Sequence, residues 1–297
     1  MESIVFYVYH ESVQDADNLR FFLRHGLVPH VHFVFIIHGE ECSVELPSSE
    51  NSPEVTILRR PNTFDLVGFC NVLEEHFSDT IQQYPYIFFL NSSCRGPFLS
   101  PVITTYSPHW TQIFISLLQN TDSHMVAPVI EIPPLDIECL DTGHRRHAVP
   151  FLHTYMFCID HKALHVLREK IFPLLKVEGI SRTDLLLIER QISACLLFNG
   201  LRIHSLLLKY RDVDWLDRRQ WNYGKWAWGM AHTGGGRMRL SCPEIPGNYG
   251  GIDIHPLEVI FFKNIRQTHD GRRKSEAGIS EDTHRILERY TSWLRQK

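Results

Sequence analysis

The chain has 297 residues, of which 43% are hydrophobic, 11% aromatic and 22% charged, enough for one large α/β domain or two small ones. That make-up excludes a disordered chain, a collagen-like repeat and a disulfide-stapled miniprotein. Thirty basic residues against 34 acidic ones leave a net charge of −4, so no basic excess points to nucleic acid or to an anionic membrane surface.

Met1-Glu2-Ser3 carries no basic stretch, and the apolar run from Ile4 to Tyr9 is too short for a signal-peptide core. No segment approaches the roughly 18 apolar residues of a membrane-spanning helix. The same run, Ile4-Val5-Phe6-Tyr7-Val8-Tyr9, is β-branched and aromatic and predicts a buried strand. Ser12 can cap the helix that follows, with Leu19, Phe22 and Leu23 on one face and Gly26 as its stop. His32 to Ile37 reads as a second strand ending at His38-Gly39, and Glu54 to Leu58 as a third, closed by Arg60-Pro61-Asn62. Leu66 to Phe77 reads as a helix and Tyr86 to Leu90 as an apolar fourth strand. Alternating strands and helices, with strands apolar throughout, predict a mixed, mostly parallel α/β sheet with helices on both faces. Ligands on such sheets bind at the carboxyl ends of the strands. The loops after Tyr9, Ile37, Leu58 and Leu90 are therefore the first places to look.

The second half is less regular. Met125 to Ile130 and Thr154 to Ile159 read as strands, separated by a loop, Glu131 to Pro150, rich in Pro, Asp and His. His161 to Ile171 reads as a helix, as does Asp184 to Phe198, which carries Leu185, Ile188, Ile192 and Cys195 at core spacing and stops at Asn199-Gly200. Ile203 to Leu208 is a strand. Residues 212 to 251 form a long loop holding Trp215, Trp221, Trp226 and Trp228 and the run Gly234-Gly235-Gly236. Val259 to Phe262 reads as a further strand after His255-Pro256. Beyond Gly271 a polar linker leads into an amphipathic helix striped by Ile286, Leu287, Tyr290, Trp293 and Leu294. The seven cysteines, an odd number without a C-x-x-C pair, suggest neither a disulfide framework nor a zinc site. Reduced thiols in the cytoplasm or another reducing, soluble compartment are expected.

The most specific words are Tyr86-Ile-Phe-Phe-Leu-Asn-Ser-Ser-Cys-Arg-Gly-Pro-Phe98 and the upstream Arg60-Pro61-Asn62-Thr63-Phe64-Asp65. With them the chain, from about residue 4 to 266, resembles glycosyltransferases of the GT-A type, in particular their rhamnan-synthesis-like branch. There an Asn-x-x-x-Asp segment precedes a strand that ends in a polar triplet and then Gly-Pro. The resemblance implies a single GT-A-like (Rossmann-like) domain over residues 1–270, with a donor half to about 125 and an acceptor half from 126. Residues 271–297 add the linker and C-terminal helix. It implies a hexosyl- or pentosyltransferase that moves a sugar from a nucleotide-sugar donor to a glycan hydroxyl, with no nucleic-acid partner and no membrane span.

In most such enzymes the triplet is Asp-x-Asp and holds Mn²⁺ or Mg²⁺ against the donor's diphosphate through hard oxygen ligands. Here it is Asn91-Ser92-Ser93, whose amide and hydroxyls are poor ligands for either ion, so a divalent cation is doubtful. Arg95 could hold the diphosphate instead, as a bidentate cation. The resemblance assigns Arg60, Asn62 and Asp65 to the donor as well. The plain alternative is that Asn91 and Ser93 only make a turn and that Asp65 caps the next helix. Glu189 lies eleven residues before Gly200, the spacing of the family's acidic motif, and becomes the candidate general base, with Asp184 in reserve. A solvated or Arg190-paired Glu189 is the alternative. His153 and Tyr155 stand where the family places acceptor-side residues, and His255 where a late metal-binding histidine is found, with Lys263 nearby to add positive charge. The competing readings are a non-catalytic carbohydrate- or nucleotide-binding protein and, less well supported, a nucleotidyltransferase. The latter lacks a Gly-rich, Lys-containing phosphate loop near the first strand.

Overall fold

A computed structural model describes residues 1–47, 54–100, 109–132, 137–138, 145–146, 149–221, 231–233, 236–238, 242–244, 249, 252–263 and 281–295. The chain begins with β1 (Ser3–His10), α1 (Val13–His25), β2 (Val31–His38), β3 (Val55–Arg60), α2 (Asp65–His76) and β4 (Tyr86–Asn91). A short β5 (Cys94–Arg95) leads to α3 (Trp110–Thr121), β6 (Ser123–Ala127), β7 (Ile130–Glu131), β8 (Ile137–Glu138), β9 (Arg145–Arg146), β10 (Phe151–Leu152) and β11 (Met156–Ile159). Then follow α4 (His161–Lys170), α5 (Phe172–Leu175), α6 (Arg182–Phe198) and β12 (Arg202–Ser205). β13 (Ala231–Thr233), β14 (Gly236–Met238), α7 (Pro256–Val259), β15 (Phe262–Lys263) and α8 (Glu281–Arg295) complete the described elements.

Seven strands form the central sheet in the order β12-β6-β11-β4-β1-β2-β3. The pairs β1–β2, β2–β3, β1–β4 and β6–β12 are parallel, whereas β11 runs antiparallel to both β4 and β6. This is the expected class, a mixed, mostly parallel α/β sheet with helices on both faces and a C-terminal helix. The pleat explains why the strands are apolar throughout. Ile4, Phe6 and Val8 face one core with α2, α4, α5 and α6. Val5, Tyr7 and Tyr9 face the other with α1 and α3.

Local signals set most boundaries. Ser12 caps α1 by accepting from Asp15 N at 3.1 Å, and the helix stops at Gly26, where a Cβ would lie 2.6 Å from the Phe22 ring. α6 opens on a reciprocal box in which the Ser181 hydroxyl accepts from Asp184 N and the Asp184 carboxylate accepts from Ser181 N, both at 3.2 Å.

Some elements differ from expectation. α3 is not among the predicted elements, although Trp110, Phe114, Ile115 and Leu118 lie at helical spacing and are buried. The strand expected from Met125 to Ile130 divides at Pro128 into β6 and β7. The strand expected at Val259 to Phe262 is shortened from its start: Val259 closes a one-turn helix that Pro256 opens, Ile260 turns the chain at φ 64°, and only Phe262, with Lys263 after it, pairs with β5. Most of the loop from Glu131 to Pro150, the linker after Gly271 and the tryptophans at 226 and 228 lie outside the described residues. Trp215 is buried, and Trp221 Nε1 donates to its carbonyl at 2.8 Å, so these two anchor their segment. α8 docks through Leu287 and Tyr290, whose hydroxyl donates to the Leu99 carbonyl and whose ring meets Phe98 edge-on at 5.5 Å. Ile286 and Trp293 of the same stripe stay over one-third exposed. Among the described residues, no helix is long and apolar enough to cross a membrane, and Cys42, Cys70, Cys94, Cys158 and Cys195 are free thiols.

Candidate functional site

The sheet's strand order reverses at β1, which has β2 on one side and β4 on the other, and in sheets of this kind such a switch point is where the carboxyl-end crevice binds ligands. Polar side chains meet at this edge. Asp65, at the start of α2, receives His10 Nε2 on one carboxylate oxygen and Asn91 Nδ2 on the other, each at 2.8 Å. Asn62 Oδ1 lies 3.1 Å from His10 Nδ1. Asn91 Oδ1 in turn accepts from the Ser93 hydroxyl at 2.5 Å and from Ser93 N at 3.2 Å. The structure thus brings together Asn62, Asp65, Asn91 and Ser93, and adds His10.

Two predicted donor residues go elsewhere. Arg60 is paired with Glu75 at 2.7 Å and touches His76, both at the far end of α2. Arg95 turns back to α1, where its Nε donates to Asn18 Oδ1 at 2.8 Å and its guanidinium stands 3.7 Å from Asp17. Asn18 also donates to the Ser92 carbonyl at 2.8 Å, so Arg95 and Asn18 brace the strand-end turn.

β11 brings the second half of the chain to the same edge. Because it runs against β4, its beginning meets the end of β4, and Asn91 N donates to the Tyr155 carbonyl at 2.9 Å. Thr154, just before that strand, lies near Glu189 on α6 and favours its charged form. Glu189 is half-buried, and burial raises its pKa. Lys263 and His153 pull it down, and Asp65 pushes it up across the crevice. Asp184, the reserve candidate, is exposed and engaged in the α6 capping box, and it does not join the cluster. His255 is likewise an exposed helix cap, its Nδ1 accepting from Leu257 N at 3.2 Å. Tyr155 is buried under the Lys263 ammonium, which stands 6.0 Å from its ring, and its hydroxyl donates to the Phe261 carbonyl at 3.3 Å.

His153 stands between two carboxylates, with Nδ1 2.8 Å from Glu244 and Nε2 3.3 Å from Glu131. Burial opposes a charge on this ring, but the Glu244 and Cys242 neighbours outweigh it and raise the pKa. At the first edge the same contest separates two neighbouring histidines, His10 and His38, whose ring centroids are 4.5 Å apart. Burial works against a charge on His10, but Asp65 outweighs it, so the pKa rises. Burial, with the neighbouring His10 charge, pushes His38 down to about 4.

The strand-end triplet does not suit a hard divalent cation. The Asn91 amide is used at both ends within the protein, Ser93 donates into it, and the Asp65 carboxylate is occupied by His10 and Asn91. Sequence reasoning did not single out His10 and His38, although they close two of the strands whose loops it marked. Glu131, Cys242 and Glu244 carry no local signal, since their partners are distant in sequence.

No protein-family model matches this sequence, and no curated protein does. The fold is similar to that of a mannosyltransferase from Pyrobaculum calidifontis solved with GDP-Man and Mn²⁺, at 11% identity and a TM-score of 0.42. The match covers 69% of this chain but only 54% of that enzyme. It is also similar to a 4-diphosphocytidyl-2C-methyl-D-erythritol synthase, at 11% identity and a TM-score of 0.35, covering 74% of this chain and 95% of that one.

Proposed function

We propose that the protein is a glycosyltransferase that takes a sugar from a nucleotide-sugar donor and passes it, with inversion, to a carbohydrate hydroxyl. The observation that carries this reading is the approach of two carboxylates at the sheet's carboxyl edge: Asp65 from the first half of the chain and Glu189 from the second, with the Asp65 charge acting to raise the Glu189 pKa. Donor binding falls to Asn62, Asp65, Asn91 and Ser93 over the switch between β1 and β4, with His10 holding Asp65 in place. The likeness to the rhamnan-synthesis-like branch rests on the sequence words alone.

In the chemical step Glu189 accepts the proton of the acceptor hydroxyl. The acceptor oxygen attacks the anomeric carbon, and the bond to the diphosphate oxygen breaks with its electron pair leaving on the diphosphate. Half-burial suits Glu189 to this task, because it raises the basicity of the carboxylate. The acceptor-side role of His153 and Tyr155 comes from the sequence resemblance, and the buried Tyr155 would act through the Lys263 above its ring.

The test is turnover of a panel of nucleotide sugars with glycan acceptors. Glu189→Gln is nearly isosteric and is expected to lower kcat on the order of 10²–10⁴-fold while leaving donor affinity intact. Asp65→Ala and Asn91→Ala are expected to weaken donor binding by calorimetry, with circular dichroism unchanged. A second reading, a non-catalytic binding protein on the same fold, draws on the closed hydrogen-bond network of Asn91, in which the strand-end amide and the Asp65 carboxylate already have protein partners. Binding of a donor without turnover in the wild type would favour it.

A further inference from the structure

A second cluster of polar side chains gathers around His153, near Glu189. β7 and β10 pair antiparallel, with Phe151 opposite Glu131, and His153 N donates to the Val129 carbonyl at 3.0 Å. That pairing sets the Glu131 and His153 side chains together at the end of a two-stranded ribbon. The His153 ring is held flat against Phe151, with 5.8 Å between centroids and 19° between planes. Cys242 comes in from a remote segment, so that one ligand atom from each of Glu131, His153 and Cys242 lies within 4.8 Å of the other two. Ligand atoms around a tetrahedral Zn²⁺, with bonds of roughly 2.0–2.3 Å, stand about 3.3–3.8 Å apart, a short inward adjustment from this arrangement.

Two further observations point to an ion rather than to a plain hydrogen-bond knot. Glu244 binds His153 Nδ1 at 2.8 Å, which fixes the ring's orientation and tautomer and directs Nε2 toward Glu131. This carboxylate–histidine pairing is the outer-shell arrangement that orients metal-bound imidazoles. Glu244 itself is only 5% exposed, yet its Oε1 is buried without a hydrogen-bond partner. A buried carboxylate oxygen without a donor is costly, and a nearby dication would compensate it. The donor set of one thiolate, one imidazole and one carboxylate selects a borderline-soft ion over Mg²⁺ or Ca²⁺.

We propose that Glu131, His153 and Cys242 form a Zn²⁺-class site, with Glu244 as its orienting outer-shell residue. The site clips the 242–244 segment onto the β7–β10 ribbon beside Glu189. It does not depend on the glycosyl-transfer reading, since an ion there would serve any chemistry at the crevice.

The experiment uses the full chain, reduced and stripped by chelator, then titrated with Zn²⁺ alone and with Co²⁺ as a spectroscopic probe. One tightly bound equivalent is expected, with thiolate-to-cobalt charge transfer and the intense visible bands of a tetrahedral ion. Cys242→Ser should abolish the charge-transfer band while Cys195→Ser keeps it. His153→Gln should lose the site, and Glu244→Gln should bind about 10–100-fold more weakly. Should the variants fail to fold, alkylation mapping of the wild type decides: bound Zn²⁺ should protect Cys242 selectively. The proposal is overturned if the wild type binds no equivalent at micromolar Zn²⁺, if the cobalt spectrum survives both Cys242→Ser and His153→Gln, or if Zn²⁺ leaves Cys242 alkylation unchanged.

Discussion

His10 and His38 share one wall of the crevice, and their environments drive them to opposite charge states. The Asp65 carboxylate favours the protonated form of His10, whereas His38 is buried, held by a hydrogen bond from Thr63 N to its Nδ1, and repelled by its neighbour. Linkage gives the two residues opposite effects on stability. The unfolded chain protonates His38 near pH 6.5 but the folded one only near pH 4, so stability falls as the pH drops through that window, by on the order of 3 kcal/mol. His10 behaves in the reverse sense: its contribution is complete below the unfolded pKa and is lost as the pH rises through the raised folded one. Urea midpoints between pH 8 and pH 4 should therefore show an acid limb that flattens in His38→Asn, and an unchanged slope in that variant would refute the assignment. A second expectation concerns His10 alone. Asp65→Asn removes its anionic partner, and the ring's titration, followed by NMR, should move to lower pH.

At the scale of the element, α6 separates two carboxylates that look alike in the sequence. Asp184 faces Ser181 in the first turn, and its loss should cost about 0.5–2 kcal/mol of stability with turnover retained. Glu189, little more than a turn later, should show the reverse pattern in Glu189→Gln. Parallel melts and turnover assays on Asp184→Ala and Glu189→Gln separate the two, and a loss of turnover in Asp184→Ala with normal stability would exchange their roles. α2 offers a different constraint. A Cβ at Gly68 would lie 2.3 Å from His38 Nε2 and 2.7 Å from its Cε1, so the helix approaches β2 only because residue 68 has no side chain. Gly68→Ala gains up to about 1 kcal/mol in helix propensity but meets a buried ring, and a net loss of about 1–3 kcal/mol is expected from the urea midpoint.

Over the whole molecule, an edge-to-face aromatic cluster ties the first half of the chain to the second. Phe69 of α2 lies 5.2 Å from Phe6 on β1, 5.0 Å from Phe89 on β4, 6.2 Å from Phe157 on β11 and 6.4 Å from Phe172 on α5. Phe69→Ala should lower stability by about 3–5 kcal/mol, measured by denaturant unfolding, as expected for a large ring removed from a closed core. The sheet could be read from the sequence because each of its early strands is a dense apolar run, which needs no partner to be recognised. α3 could have been read too, from the spacing of Trp110, Phe114, Ile115 and Leu118, whereas the turn at Ile260 depends on packing against Phe98 and Gly96. The strand-end residues Asn62, Asp65, Asn91 and Ser93 fall together because a parallel sheet gathers its loops on one edge. Arg60 and Arg95 were assigned to that edge by position, but long side chains follow the nearest carboxylate or amide, and here those lie on α2 and α1. Glu131, His153, Cys242 and Glu244 are assembled by pairing across long stretches of chain, which no local pattern announces.

The reversed strand β11 also has a consequence for biosynthesis. As the chain leaves the ribosome, β1 to β4 emerge in an order that lets them pair at once, yet the outer edge of β4 acquires its neighbour only when Met156–Ile159 has been made. Until then a fully apolar strand, Ile87 to Leu90, presents open backbone donors and acceptors, and β6 has nothing to join. An unpaired apolar edge of this kind is a template for association with other chains. Nascent chains arrested before residue 156 should therefore engage holding chaperones and sediment when released. Those arrested far enough beyond Phe198 for β11 and α6 to have cleared the exit tunnel should not.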